Sequence, residues 1–230
     1  MLTFYYARPS AYARPVWLAL LEKGLAFELV PVDLGGEQFG EAFQAINPFG
    51  HVPVLMDDGF RVVECLAILD YLEAKYPERS LMPKAAAAIA QVRMVQSVTF
   101  SELLPAFFRM VAYSKAAEEA EYGRLRIMNA LRFLEELLDS KTYFAGEQLT
   151  MAEIVAGTLV YRVEALGLPL ADYPQLAAWS KRLLRRPTWQ EIELSTEEWI
   201  RFKRQMRVLP RLWEKQRRLR MKACIASSRY

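Results

Sequence analysis

The sequence predicts an α+β protein: a βαβαββα unit first, an all-α domain after it, and an extra helical tail at the C-terminus. Three observations predict this arrangement. The strand-like runs end by Val63, an Asp-Gly hairpin signal lies among them, and the long segments after Pro83 repeat their apolar residues at helical spacing.

Leu2–Tyr6 is a short apolar and aromatic run that reads as a buried strand. Arg14–Glu22 carries apolar residues at helical intervals until Gly24 stops it, and Ala26–Val32 reads as a second strand. A strand, helix, strand opening favours a right-handed crossover and therefore a parallel pair. Gly35–Gly36 breaks the chain, Glu37–Ile46 reads as a short helix, and Pro48–Gly50 interrupts before the β-rich Val52–Met56. Asp57-Asp58-Gly59 joins that run to Phe60–Val63, and Asp-Gly between apolar runs signals an antiparallel hairpin. Glu64–Tyr76 spaces Leu66, Leu69, Tyr71 and Leu72 as a helix does, and ends before Pro77.

Pro77–Pro83 is rich in proline and charge and reads as a linker. The expected organisation is a domain over residues 1–79, a linker over 80–86, an all-helical domain over 87–190 and a tail over 191–230. Ala85–Tyr113, Ala116–Leu138, Met151–Leu166 and Tyr173–Arg185 read as its long helical segments. Thr150 and Glu153 form a capping box, with the hydroxyl placed to accept from the third helical amide and Leu149 and Ile154 as hydrophobic staple.

The tail repeats Trp199, Phe202, Met206, Leu209 and Trp213 at intervals of three and four, with Pro210 breaking it into helices at Thr196–Leu209 and Arg211–Lys222. One reading packs this stripe on the helical domain with the basic groups in water. The others are a lid over the site, a dimer contact, or a helix making peripheral contact with a membrane surface.

Thirty basic against 27 acidic residues leave a net charge of +3, too small to point to nucleic acid, so no nucleic-acid partner is expected. The excess is local: Glu191–Tyr230 holds 11 basic and 5 acidic residues. Cys65 and Cys224 lie far apart and His51 is the single histidine, which fits no metal-ligand spacing, so no metal is expected. No signal-peptide pattern or long apolar run appears, which predicts a cytoplasmic protein in a reducing compartment.

In Asn47-Pro48-Phe49-Gly50-His51-Val52-Pro53-Val54-Leu55 a turn leads into a proline at the start of a strand, where a missing amide donor is tolerated. A cis Val52–Pro53 bond would turn the Val52 amide and carbonyl outward, where an extended peptide could dock by strand-like pairing. Only about 5–6% of X–Pro bonds in folded proteins are cis, so both isomers stay open.

This stretch, the Glu64-x-x-Ala67-Ile68-x-x-Tyr71-Leu72 pattern, the Leu149-Thr150-x-Ala152-Glu153 box and Tyr173-Pro174-x-Leu176-x-x-Trp179 together resemble a cytosolic glutathione transferase of the serine type, akin to the phi, theta and chi classes. The likeness runs from Leu2 to about Gln190. It implies a thioredoxin-like domain that binds glutathione as co-substrate, an all-helical domain that supplies the acceptor pocket, and a homodimer. Val52, before Pro53, falls where the family pairs its backbone with the cysteinyl part of glutathione. Glu64 falls where an acidic residue followed by Ser or Thr receives the γ-glutamyl end; Cys65 replaces that hydroxyl with a weaker donor. A buried, inert thiol is one reading of Cys65, and a mixed disulfide with glutathione is the other. Gln38 and His51 stand at the positions that meet the glycine carboxylate, with His51 as a plain surface-turn residue the alternative.

The thiolate is the nucleophile, and lowering a thiol pKa of about 8.5 by two units takes about 2.7 kcal/mol of preferential stabilisation. Ser10 lies 14 residues before Gly24, in the slot where relatives place the activating serine or a catalytic cysteine. Its alternative role is a helix N-cap. Tyr5 and Tyr6 are rival phenols, although strand aromatics are more often core, and Tyr12 lies near enough in sequence to contend; Tyr12 with Phe108 and Tyr113 is expected at the acceptor pocket. The implied reaction is conjugation of glutathione to an apolar small-molecule electrophile. Glutathione-dependent isomerisation, peroxide reduction, or non-catalytic ligand or partner binding on the same fold are the alternatives.

Overall fold

The computed structural model describes residues 1–113, 116–209, 212–215 and 218. The first unit runs β1 (Leu2–Tyr6), α1 (Ala13–Lys23), β2 (Phe27–Pro31), a 3-10 turn (Glu37–Phe39), α2 (Glu41–Ile46), β3 (Val54–Asp57), β4 (Phe60–Val63) and α3 (Cys65–Lys75). The sheet order is β2-β1-β3-β4, with β1 parallel to β2 and antiparallel to β3, and β3 antiparallel to β4. The predicted parallel crossover and hairpin are both present. Asp58 and Gly59 take φ of 47° and 88°, the left-handed pair that a two-residue hairpin turn requires.

The third strand starts at Val54 rather than Val52, because Pro53 has no amide to give the ladder, and it includes Asp57, opposite Leu2 and Phe60. Asp57 is buried and accepts from Tyr71 Oη at 2.8 Å, Tyr76 Oη at 2.9 Å and Lys75 Nζ at 2.6 Å. Burial alone would raise its carboxyl; the three donors outweigh it and hold it below the usual range. This pins the hairpin to α3.

The helical part comprises α4 (Ala86–Val98), α5 (Leu104–Ala112), α6 (Ala117–Leu138), α7 (Met151–Ala156), α8 (Pro174–Leu184) and α9 (Pro187–Ile192), followed by α10 (Thr196–Met206). Ala85–Tyr113 is not one helix. A wide π turn at Thr99–Leu103 separates α4 from α5, where Pro105 cannot donate to the preceding turn. Met151–Leu166 also divides, into α7 and a 3-10 stretch at Val160–Leu166. It divides at Gly157, where a Cβ would lie 2.6 Å from Leu183 Cδ1.

In the tail, Ser195 caps α10, accepting from Glu198 N at 3.1 Å, while Glu198 Oε2 accepts from Ser195 N at 2.8 Å. The helix ends at Met206, short of the expected Leu209. Residues 212–215 are helical. The break at Pro210, most of the second tail helix and Cys224 lie outside the described residues. No helix among the described residues is long and apolar enough to cross a membrane.

One hydrophobic cluster joins Phe4 and Val16 of the first unit to Leu131 and Trp179 of the helical part and to Phe202 and Met206 of the tail. Trp199 meets Phe107 at 6.0 Å and stacks on Phe202 at 5.4 Å, and Phe202 meets Phe108 at 6.3 Å. The tail stripe therefore packs on α5. At the joint between the domains Arg14, 2% exposed, donates to Ile192 O and to Tyr161 Oη at 3.1 Å. Glu193 lies 3.6 Å from Arg14 and accepts from Arg162 at 2.9 Å and from Tyr161. Burial pulls the Arg14 guanidinium down to about 10, which leaves it charged at neutral pH.

The capping box forms as expected, with the Thr150 side chain meeting the backbone of the third helical residue, and the Thr150 hydroxyl also accepts from Ala152 N at 3.2 Å. The Glu153 carboxylate is fully buried and accepts from Phe144 N at 2.8 Å, Thr150 N at 2.9 Å and Thr150 Oγ1 at 2.7 Å. Burial pushes its carboxyl up against those donors. Glu153→Ala orphans all of them and is expected to cost about 3 kcal/mol in urea unfolding. Glu153→Gln is expected to destabilise too, since its amide must face one of the donors; wild-type stability in both variants would refute the role.

Candidate active site

A cavity of about 810 Å³ lies between the start of α1, the loop after β2, the turn before β3, and the helices α5 and α10. Ser10, Gln38, His51, Val52, Pro53, Glu64 and Cys65 all line it. The chain brings together residues from four separate connections.

The turn before β3 is fixed from inside. Asn47, fully buried, donates through Nδ2 to His51 O at 2.8 Å and accepts from Phe49 N at 3.1 Å. Gly50 takes φ +65°, and a Cβ there would lie 2.9 Å from Gln38 O, so the residue has to be glycine on both counts. The Val52–Pro53 bond is cis. The Val52 amide and carbonyl have no hydrogen-bond partner among the described residues, so both can serve an extended peptide.

Glu64, the residue before α3, is held at φ 70° and ψ 128°, a conformation that costs a non-glycine residue about 1–3 kcal/mol. No side chain caps α3, so its first amides are available to an anion. Cys65 is 4% exposed. Burial first, and the Glu64 charge second, push its thiol far up, so it is a neutral thiol at physiological pH. This favours the inert reading over the mixed disulfide, which needs a thiolate.

Ser10 fits both readings at once. Its Oγ accepts from Ala13 N at 3.2 Å in the first turn of α1, and the residue faces the cavity. An acceptor occupied by a helix amide leaves the hydroxyl proton free to donate elsewhere. Of the rival phenols, Tyr5 lies edge-on to Phe43 at 6.3 Å and is not part of the cavity wall. Tyr6 reaches the wall but packs against Phe4 at 5.7 Å and Trp17 at 5.0 Å. Tyr12 lines the cavity beside Phe100, and burial, then Cys65 and Glu64, push its phenol up. It is a neutral donor, not a base.

Gln38 is 1% exposed, with Nε2 donating to Leu34 O at 2.9 Å and Oε1 buried without a partner among the described residues. One of its two amide hydrogens is thus already used, and the other remains for a ligand carboxylate. His51 stands exposed at the rim. On the acceptor side Phe108 lines the cavity, but Tyr113, expected beside it, does not. Five residues on from Phe108 is about 140° around the helix axis, so Tyr113 is carried to the outer face, 47% exposed.

Sequence reasoning missed Arg8 and the inner face of α10. Arg8 lies in the wall, donating to Glu193 O at 2.8 Å and paired with Glu198 at 3.0 Å. Arg201, Phe202, Gln205 and Met206 complete that wall. The tail therefore packs on α5 and closes the cavity, combining two readings offered as rivals. The stripe at intervals of three and four carried the signal, yet the polar positions beside it were assigned to solvent.

The family models "Glutathione S-transferase, N-terminal domain" and "Glutathione S-transferase, C-terminal domain" match residues 4–80 and 97–187. Maleylacetoacetate isomerase of Mus musculus is 32% identical over 195 residues, which is 82% of this chain and 90% of that protein. Glutathione S-transferase GstA of Escherichia coli O157:H7 is 28% identical over 83% of this chain and 96% of its own length. The crystal structure of a glutathione transferase homologue from Sulfitobacter with bound glutathione superposes with a TM-score of 0.74 at 25% identity, over 84% of this chain and 96% of that one. On both halves of its length, in sequence and in fold, the chain belongs to the glutathione S-transferase family.

Proposed function

We propose that this transferase binds glutathione along the turn before β3 and the start of α3, and uses Ser10 to favour the thiolate. The thiolate then attacks an electrophilic carbon of a largely apolar small molecule. The observation that carries this reading is the Ser10 hydroxyl: its oxygen is engaged by a helix amide, and it opens into the same cavity as the unpaired Val52 backbone.

In this reading the cysteinyl unit of glutathione pairs with Val52 N–H and C=O. The γ-glutamyl end meets the Glu64 carboxylate through its ammonium and the first α3 amides through its carboxylate, because the Cys65 thiol is a poor donor. The glycine carboxylate takes the second Gln38 hydrogen and His51. Sulfur then lies by Ser10, whose hydroxyl and the α1 N-terminus together favour S⁻. The thiol proton leaves to water, the C–S bond forms, and a leaving group such as chloride departs with the displaced electron pair. Phe108 and Tyr12 hold the apolar acceptor. Residues 1–79, 80–86, 87–190 and 191–230 are taken as the glutathione domain, linker, helical domain and tail. The protein acts as a homodimer in the cytoplasm.

A second reading is favoured by the likeness to the mouse maleylacetoacetate isomerase. There the thiolate adds to a conjugated cis alkene, the bond rotates, and elimination returns glutathione unchanged. Maleylacetoacetate turned over without loss of free thiol would select isomerisation; thiol loss with a chloronitrobenzene or an isothiocyanate would select conjugation.

Ser10→Ala is expected to lower kcat/KM for chloronitrobenzene conjugation at neutral pH about 10-fold, its share of the thiolate stabilisation, with glutathione affinity kept. A wild-type rate would remove Ser10 from the chemistry. Cys65→Ser restores a stronger donor at the γ-glutamyl end and is expected to tighten calorimetric glutathione binding about three-fold. Equal binding would show that the position does not touch the ligand, and weaker binding would overturn the donor argument.

A further inference from the structure

Leu34 O accepts two hydrogen bonds, from Gln38 Nε2 at 2.9 Å and from the indole Nε1 of Trp213, also at 2.9 Å. Leu34, Gln38 and Trp213 all line the same cavity. One tail residue thus grips the backbone of the loop that presents Gln38. That loop contains Gly35–Gly36 and is turned locally by Asp33, whose Oδ1 accepts from Gly35 N at 2.8 Å and whose amide donates to Glu37 Oε2 at 2.7 Å, while Leu34 O ties it to the tail. The Leu34 side chain packs against the small cluster of Ala7, Val32, Phe43, Val52 and Val54. A displacement of Leu34 is therefore felt both at Gln38 and at Val52.

The tail is held at its other end too. Its root, Ile192 and Glu193, is tied to Arg14 of α1, and its middle, Trp199 and Phe202, is stacked on α5. It spans the cavity from the helix that begins near Ser10 to the loop bearing Gln38. An indole suits the far anchor, because it is rigid and carries a single donor that must find an acceptor when partly buried.

We infer that Trp213 is a positioning residue for glutathione: its N–H bond to Leu34 O sets the Gln38 loop, so that the tail completes the glycine end of the site. This rests on the proposed glutathione reading. Gln38 Oε1, buried without a partner among the described residues, adds an independent sign that this loop meets a ligand. An incoming N–H donor from the glycyl amide would satisfy it, while the remaining Gln38 hydrogen takes the carboxylate.

The test compares full-length wild type with Trp213→Phe, which keeps the ring and removes the donor. Glutathione Kd by calorimetry and glutathione KM are expected to rise about five-fold. The kcat at saturating glutathione, the KM for chloronitrobenzene and the Tm are expected to stay at wild-type values. Amide hydrogen exchange over residues 33–39 is expected to quicken in the variant and to slow again when glutathione is added. Unchanged glutathione Kd, unchanged exchange, or a lowered Tm with both KM values raised alike would overturn the inference and leave the glutathione reading standing. A wild-type protein that binds no glutathione at millimolar concentration would overturn both.

Discussion

The buried guanidinium of Arg14 constrains the rest of the molecule. A charge at 2% exposure cannot remain unpaired, and here its partners are Ile192 O, Tyr161 Oη and Glu193, all from beyond residue 160. Removing one partner from such a group typically costs about 3–5 kcal/mol. Arg14 lies one turn past Ser10, so this requirement orients the start of α1 toward the helical half. It also fixes Glu193, and α10 begins three residues later. The Ser10 end of the cavity and the root of its outer wall are thus set by one polar cluster, with Arg162 sharing the single carboxylate.

Burial sorts the candidate groups for thiol chemistry more clearly than residue type does. Cys65 and Tyr12 both stand in the cavity wall and both are driven toward their neutral forms, chiefly by desolvation. Neither offers a base or a competing nucleophile near neutral pH. Ser10 does not ionise, and its role depends only on where its hydrogen points. In the proposed reading, binding and activation therefore rest on different elements: the turn before β3 and the start of α3 for the first, the start of α1 for the second.

Much of this was legible in the sequence wherever the cause was local. The Asp-Gly turn, the Thr150 and Glu153 box, and the proline that opens β3 each act within a few residues. The resemblance to the family singled out residues that the structure gathers around one cavity. What escaped depended on direction or on distant partners. Tyr113 was placed by proximity in sequence, while helix geometry sends it outward. The interruption at Thr99–Leu103 was written in Pro105 but read through by the apolar periodicity on either side. The shared carbonyl of Leu34 joins positions 179 residues apart, a distance over which no local pattern speaks.

Phe202 and Met206 belong to the same apolar cluster as Phe4 and Val16. A chain made from its N-terminus onward can form the four-stranded sheet early, since its strands are near in sequence. It cannot close its core or its cavity until residue 206 and the indole at 213 have left the ribosome. The cavity is therefore among the last features to exist during synthesis. An incomplete nascent chain carries an open, apolar trough where the finished protein encloses its cavity.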